Sequence, residues 1–250
     1  MSDSGSYRRA RSPQEASGHR VALVLVLFLV LALRWYVPYG GLILYPFTLL
    51  STWVHEVGHG VTAILCGGKF DHLDVFADAS GVAYTMVVKG FRSGLVSAGG
   101  LLAPPIVGTT LLLWGRRIPK ALLFGLSAAM ALSLLLWVRT LVGLVTVSAL
   151  MLLIASVARF GSSGLRLFFV QLLGLLLAMD FVTRIDYLFV QSGVAGGRLS
   201  QSDVAGVASS LGGPYWFWGG LIAGLSALLL GIGLLSVLRS SSPVRSLPQV

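Results

Sequence analysis

Long apolar runs alternate with short polar breaks along the chain. A helix needs about 20 apolar residues to cross a bilayer. Runs close to that length are found at residues 20–37, 41–66, 94–114, 120–138, 140–158, 165–190 and 215–238. We therefore expect an all-α polytopic membrane protein with about six to seven transmembrane helices. Only Arg139 and Thr140 separate the fourth and fifth runs, so a re-entrant turn is an alternative at that corner.

Two stretches between these runs do not resemble membrane helices. Residues 68–92 alternate polar and apolar positions around Gly81, which is typical of a β-hairpin. Residues 191–213 are rich in Gly and Ser and predict a polar loop that contains a short helix. Ser202 or Asp203 is expected to cap the start of that helix, and Gly212 its end.

The two ends of the chain differ from the rest. Residues 1–19 are rich in Ser, Gly, Arg and Pro without an apolar period, so we expect a disordered N-terminal tail. Residues 239–250 are expected to form a C-terminal tail. The apolar runs between them, residues 20–238, are interpreted as a single transmembrane domain that includes the hairpin insert and the polar loop.

Composition and charge narrow the class of protein and its partners. Hydrophobic residues make up 56% of the chain and charged residues 11%, whereas ordinary soluble domains carry about 25% charged residues. The formal charge is +9, but the basic residues form no cluster with interleaved aromatics, so we expect a lipid bilayer and no nucleic acid as partner. Basic residues precede the first apolar run, which predicts a multi-pass protein of the cell (plasma) membrane with a cytoplasmic N-terminus.

The second apolar run contains three polar side chains within five positions. Residues His55-Glu56-Val57-Gly58-His59 fit the pattern H-E-x-x-H. Positions i and i+4 share one face of a helix, so the two imidazoles can bind one Zn²⁺. Glu56 can reach a water on that zinc as the general base, and zinc lowers the pKa of such a water to about 7. Ionisable residues inside a membrane are functional by default, so we expect one Zn²⁺ per chain at this site.

A catalytic zinc with two histidine ligands needs a third protein ligand. Of the acidic residues that remain as candidates, Asp180 is the one with apolar sequence on its N-terminal side and well inside its run, and its distance from the end of that run matches that of the two histidines within a turn. We therefore expect Asp180 to be the third ligand. The alternative for this residue is an i,i+4 ion pair with Arg184. Two further candidates for the third ligand, both nearer water, are Asp186 and Asp203.

Several segments make the chain similar to a known family. They are "HEVGHGVTAILCGGKF" at 55–70, "DASGVAYT" at 78–85, "SAGGLLAPPIVG" at 97–108 and, more weakly, "WVRTLVG" at 137–143 and "SDVAGVASSLGGP" at 202–214. These residues resemble the site-2 protease family of intramembrane zinc metalloproteases, in particular its compact bacterial branch without a PDZ domain. The resemblance implies that His55 and His59 are zinc ligands, that Glu56 is the base, and that an Asp on a later membrane helix completes the site. Residues 20–238 would then be a metalloprotease-like domain.

The resemblance also implies a reaction and a class of substrate. Such enzymes hydrolyse peptide bonds in or near transmembrane segments of other membrane proteins. A helical substrate must unwind to be cut, and the hairpin at 68–92 could hold the unwound peptide along an edge strand, which we place at 73–77. The alternative function is a catalytically inactive, metal-binding pseudoprotease that acts as a membrane binding or regulatory module. In either case a regulatory membrane partner is expected, because the loops carry little charge and the sequence shows no large soluble domain.

Overall fold

The computed structural model describes residues 13–239, without the side chains of residues 13–20, 22 and 23. The helices are α1 (Pro13–Trp35), α2 (Gly40–Leu65), α3 (Phe91–Trp114), α4 (Pro119–Leu136), α5 (Leu141–Phe160), α6 (Ser163–Ala178), the single turn α7 (Asp180–Thr183), α8 (Asp203–Leu211) and α9 (Tyr215–Arg239). A 3₁₀ helix covers Ile185–Phe189. The strands are β1 (Lys69–Val75), β2 (Gly81–Met86), β3 (Ser192–Ala195) and β4 (Arg198–Gln201).

The ends of the chain meet the sequence prediction only in part. Helix α1 begins at Pro13, inside the stretch 1–19 for which we expect a disordered tail. Residues 1–12, which make up most of that stretch, lie outside the described residues. The same holds for 240–250, so the predicted C-terminal tail is described only at Arg239, the last residue of α9.

The described helices make this a multi-pass membrane protein. Helices α3, α4, α5 and α9 are each long and apolar enough to cross a bilayer. Residues 24–35 of α1 and helix α2 meet at 113°, and they add a fifth crossing if this bent pair is one span. Helix α6 has 16 residues, which is shorter than a usual span. The described residues therefore contain four to five candidate spans, and the predicted count of six to seven is not confirmed.

The predicted hairpin is present. Strands β1 and β2 pair antiparallel with Leu73 opposite Ala83, and residues 76–80 form the turn. The outer edge of β1 is covered, because the Leu73 N–H donates to the carbonyl of Trp137 at 2.9 Å and the Arg139 N–H donates to the carbonyl of Leu73 at 3.2 Å. Strand β2 pairs with β1 alone among residues 13–239, which leaves its other edge free.

The polar loop at 191–213 has more structure than the sequence predicts. Its first half is a second antiparallel hairpin, β3 and β4, whose turn places Gly196 and Gly197 at φ of 55° and 76°. The predicted short helix follows as α8. Ser202 is its N-cap and accepts a hydrogen bond from the Ala205 N–H, and Gly212 ends it with a φ of 84°.

Small residues let α3 approach its neighbours closely. A Cβ added to Gly99 would lie 2.1 Å from Oγ1 of Thr62 on α2, and one added to Gly108 would lie 2.3 Å from the backbone nitrogen of Ala178 in α6. Small residues at helix crossings are the usual means of close packing in membrane proteins. Helix α2 is thereby held against α3 on one side. Its other side contacts the first hairpin, where a Cβ at Gly60 would lie 2.1 Å from the ring of Phe70.

Candidate metal centre

His55 and His59 lie one turn apart on α2, and their Nε2 atoms are 3.0 Å from each other. The Nδ1 of His59 is 2.8 Å from the carbonyl oxygen of Val96 on α3. A carbonyl can only accept, so Nδ1 carries the proton and Nε2 offers its lone pair. Such a hydrogen bond fixes the tautomer and the orientation of a metal-binding histidine.

Helix α3 makes room for this ring at Gly100. A Cβ at that position would lie 2.2 Å from both Nε2 and Cε1 of His59. A glycine here is therefore a steric requirement for the observed position of the imidazole.

Asp203 is the third side chain of this cluster. Its Oδ2 lies 3.0 Å from Nε2 of His55, and its Oδ1 lies 3.3 Å from Nε2 of His59. Among the described residues, these three form the group whose candidate ligand atoms all lie within 4.8 Å of one another. Asp203 reaches the histidines because it is the first residue of α8. That helix packs along α3, where a Cβ at Gly206 would lie 2.7 Å from Oγ of Ser97.

The structure does not bring Asp180 into this group, so the expected role of Asp180 as the third ligand stays a prediction without geometric support. Its Oδ1 is 3.2 Å from Nε of Arg184, the ion pair that the sequence offers as the alternative. The physical reason is that α6 ends at Ala178 and α7 begins at Asp180, so Asp180 does not continue a regular spanning helix. Arg184 donates to Thr52 Oγ1 at 2.7 Å, which places the pair about one turn before the histidines along α2.

Of the two other candidates for the third ligand, only Asp203 joins the histidines. Asp186 lies in the 3₁₀ helix and is not part of the cluster. The position of Asp203 on its helix is the sequence signal that could have identified it. Asp203 lies on the same face of α8 as Val207, four residues later, and Val207 is fully buried. A helix that buries this face against the bundle must also direct its first residue inward.

Glu56 lies beside the cluster with 5% of its surface exposed. The backbone of Ala83 in β2 lies beside its carboxylate, and both residues line one cavity. A Cβ at Gly81 would lie 2.7 Å from Cγ and 2.8 Å from Oε1 of this residue, so the start of β2 leaves room for the carboxylate. Glu56 is thus held between α2 and the free edge of β2, next to the two histidines.

A cavity of about 400 Å³ opens onto this centre. Its polar lining comes from the cluster, Glu56, Asp180 and Arg184, and its apolar lining includes Val96, Leu101, Phe181 and Ile222. Residues of β2 and of the β3–β4 hairpin also line it. The candidate metal ligands therefore border a space that has both polar and apolar surfaces.

Three side chains in the described part of the chain contact the carboxylate of Asp203. The ring nitrogens of His55 and His59 lie 3.0 and 3.3 Å from its two oxygens. Tyr187 also contacts Asp203 through its hydroxyl, at 3.0 Å from Oδ2. The Asp203 carboxylate is therefore surrounded by two imidazoles and a phenol.

The donor set fits zinc. Two imidazole nitrogens and one carboxylate oxygen match the three protein ligands of a catalytic zinc site, which keeps its fourth position open. The cavity adjoins the cluster, since His55, His59 and Asp203 all line it. His55, His59 and Asp203 would hold the ion, and Glu56 is close enough in sequence and space to act beside it.

A family model described as Peptidase M50B-like matches residues 21–233 of the chain. No curated protein and no solved structure gives a match. The matched range contains the two histidines, Glu56 and Asp203, together with the helices and the hairpin that position them.

Proposed function

Because the chain belongs to the Peptidase M50B-like family, we propose that it is an intramembrane zinc-dependent endopeptidase that cleaves other membrane proteins in or near their transmembrane segments. The family match confirms the resemblance to the site-2 proteases. The observation that carries the proposal is the convergence of His55, His59 and Asp203 beside the buried Glu56. Asp203 replaces Asp180 as the proposed third ligand.

The proposed chemistry assigns a separate task to each side chain. A zinc ion at this centre would supply Lewis acidity for the activation of water near neutral pH and for the polarisation of the scissile carbonyl. The imidazoles of His55 and His59 and the carboxylate of Asp203 would hold the ion. Glu56 accepts a proton from the attacking water and delivers it to the amide nitrogen as the C–N bond breaks, so one water is consumed for each peptide bond.

The free edge of β2 is the proposed binding surface for the unwound substrate. Leu73 directs its backbone N–H and carbonyl toward residues 137–139 and therefore away from β2. Residues directly opposite each other in an antiparallel pair exchange either both hydrogen bonds or neither, so Ala83, opposite Leu73, directs its own N–H and carbonyl away from β1. Gly81 does the same, because Val75 opposite it hydrogen-bonds to the Thr140 hydroxyl through both its N–H and its carbonyl. These outward groups lie along the cavity beside Glu56. The edge strand expected at 73–77 is therefore replaced by β2, because residues 137–140 cover the outer edge of β1.

Localisation and partners are proposed on the same basis. The chain is a multi-pass membrane protein, and we place it in the cell (plasma) membrane with its N-terminus on the cytoplasmic side. Its substrate is a protein with a transmembrane segment. A regulatory membrane partner remains part of the proposal because the loops that the structure describes are short.

The test of this function compares the wild-type chain with Glu56→Gln in detergent. The glutamine variant should bind one zinc ion per chain, because Glu56 is not a ligand, yet lose about 10²- to 10⁴-fold in cleavage rate, since it cannot accept the proton. Fluorescein-labelled casein is a suitable probe, because an unfolded protein offers peptide bonds without a helix to unwind. Equal cleavage by the two proteins would contradict the mechanism. Stoichiometric zinc without cleavage by the wild-type chain, either of casein or of a panel of single-span membrane proteins in liposomes, would instead favour the pseudoprotease.

A further inference from the structure

Tyr187 makes two contacts with the candidate ligand Asp203. Its hydroxyl donates to Oδ2 of that carboxylate at 3.0 Å, and the same hydroxyl oxygen accepts a hydrogen bond from the Asp203 backbone N–H at 3.4 Å. The phenol therefore contacts both the side chain and the main chain of the first residue of α8. Among the described residues, the side chains that form hydrogen bonds or ion pairs with this carboxylate are His55, His59 and Tyr187, and only Tyr187 is not itself a proposed metal ligand.

The position of the Tyr187 ring is fixed from two directions. The neighbouring residue, Leu188, is buried, and its carbonyl oxygen would lie 2.0 Å from a Cβ at Gly219, so the 3₁₀ helix packs directly on the backbone of α9. On the opposite hairpin, a Cβ at Gly193 would lie 3.2 Å from Cε2 of the tyrosine. A hydroxyl held in this way costs little additional side-chain entropy when it binds a carboxylate.

We propose that Tyr187 is a positioning residue that orients the Asp203 carboxylate for the metal ion, an inference that rests on the proposed zinc centre. Asp203 is the one proposed ligand that does not lie on α2. Two ligands on a single helix turn are placed by the helix itself, whereas a ligand from another element depends on contacts of its own. Tyr187 supplies that contact by occupying a lone pair of Oδ2 and limiting the rotation of the carboxylate.

The size of the effect follows from the behaviour of outer-shell hydrogen bonds in metal sites. Loss of such a partner typically costs about 10- to 100-fold in metal affinity or activity. Tyr187→Phe removes only the hydroxyl and leaves the ring against Gly193. We therefore expect Tyr187→Phe to bind zinc about 10- to 100-fold more weakly than the wild-type chain.

Tyr45→Phe is the matched control. Tyr45 also donates its hydroxyl to an oxygen atom, the carbonyl of Ala77 at 2.8 Å, but it contacts none of the proposed ligands. Zinc affinities of the full-length proteins in detergent would be measured by competition with a chromophoric chelator, next to thermal unfolding of the metal-free proteins. The Co²⁺-substituted proteins would give absorption spectra that report the ligand geometry. We expect weaker zinc binding and an altered cobalt spectrum for Tyr187→Phe, and neither change for Tyr45→Phe.

The possible outcomes separate this inference from the function on which it rests. If Tyr187→Phe binds zinc as tightly as the wild-type chain with an unchanged cobalt spectrum, while His59→Ala loses the metal, the positioning role is wrong and the zinc centre stands. Weaker zinc binding that appears equally in Tyr45→Phe would also overturn it, because the effect would then be one of general stability. If the wild-type chain and His59→Ala bind zinc alike, both the centre and the role of Tyr187 are wrong.

Discussion

Asp203 and Asp180 both line the cavity, and we expect substitutions at these two residues to affect zinc affinity differently. Asp203 lies within reach of both histidines, whereas the carboxylate of Asp180 is engaged by Arg184. Asp203→Asn should lower zinc affinity by more than the roughly 100-fold that loss of an outer-shell partner can cause. Asp180→Asn should leave zinc affinity near that of the wild-type chain. Metal analysis after gel filtration in detergent checks both, and loss of zinc in Asp180→Asn alone would restore the assignment made from the sequence.

A second prediction for a single residue concerns Gly100. A methyl group at this position meets the His59 ring at 2.2 Å, so Gly100→Ala must displace either the ring or α3. We expect a loss of stability of about 1–3 kcal/mol, as is usual for an overpacked core, together with weaker zinc binding. Gly125→Ala is the matched control, because a Cβ at this helical glycine has no neighbour within 4 Å. Its stability should stay equal or rise, and a wild-type zinc affinity and unfolding temperature for Gly100→Ala would contradict the packing.

The local part of the site could be predicted from sequence, and the distant part could not. His55, Glu56 and His59 are related by helical spacing alone, so one helix is enough to bring them together. The third ligand depends on which later segment returns to this helix. Asp180 matches in depth only if its apolar run continues as one straight helix, and that run breaks after Ala178. Asp203 returns because an unpredicted hairpin leads the chain back toward α3 before α8 begins.

The proposed addition of the substrate to strand β2 can be tested at the backbone of the strand. Thr85 lies two residues after Ala83 on the same strand and lines the cavity, so its N–H also faces away from β1. Thr85→Pro removes this donor from the free edge, where proline is tolerated in a strand. If the substrate adds to this edge, KM for a protein substrate should rise about 2- to 10-fold, the value of one hydrogen bond.

Thr85→Val is the control for that change, because it keeps the N–H and the β-branched shape of the side chain. Its KM should match that of the wild-type chain. Zinc content should be unchanged in both variants, since neither touches a proposed ligand. A normal KM for Thr85→Pro would argue against strand addition at β2 while leaving the metal centre intact.

The two hairpins show why some elements are visible in sequence and others are not. The first combines alternating polar and apolar residues with a turn near Gly81, and its apolar face packs on α2 through Phe70 and Leu73. The second has strands of four residues each, and every residue of β4 is exposed, so no alternation marks it. Its remaining signal is the pair Gly196-Gly197, which also fits an unstructured loop.

At the scale of the whole molecule, the directions of the helices follow from their contacts. Helix α3 runs parallel to α9, because Thr109 donates to the Leu229 carbonyl and Arg116 donates to that of Val237. It runs antiparallel to α6, since Gly108 contacts Ala178 whereas Gly115, seven residues later, contacts Val170. The ends of α3 and α9 and the start of α6 therefore share one face of the membrane. We therefore infer that the described segment from 163 to 214 crosses to the other face, although α6 itself spans only about 24 Å.

These directions explain why hydropathy alone does not give the number of crossings. The sixth apolar run, 165–190, predicts one straight span, but the structure divides it into α6, α7 and the 3₁₀ helix, and the crossing that we infer continues to the start of α9 at Tyr215. The break between these pieces is where Asp180 and Arg184 lie. Interruptions of this kind at membrane depth are tolerated where the backbone is buried in protein or lines a cavity, and both residues line the cavity here.

The crossing by residues 163–214 can be tested by the sidedness of single cysteines. In a Cys66→Ser background, Arg117→Cys and Gly164→Cys should react with a membrane-impermeant maleimide from the same side of sealed vesicles. Lys89→Cys and Pro214→Cys should react only from the opposite side, because they flank the starts of α3 and α9. If positions 164 and 214 react from the same side, the segment 163–214 does not cross the membrane. The chain would then have to bring Asp203 to the histidines by a different route. A cysteine in the tail would in addition show whether α1 and α2 together cross the membrane once or twice, and so bears on the expected cytoplasmic N-terminus. With one crossing the tail and position 89 lie on opposite faces, and with two crossings they lie on the same face.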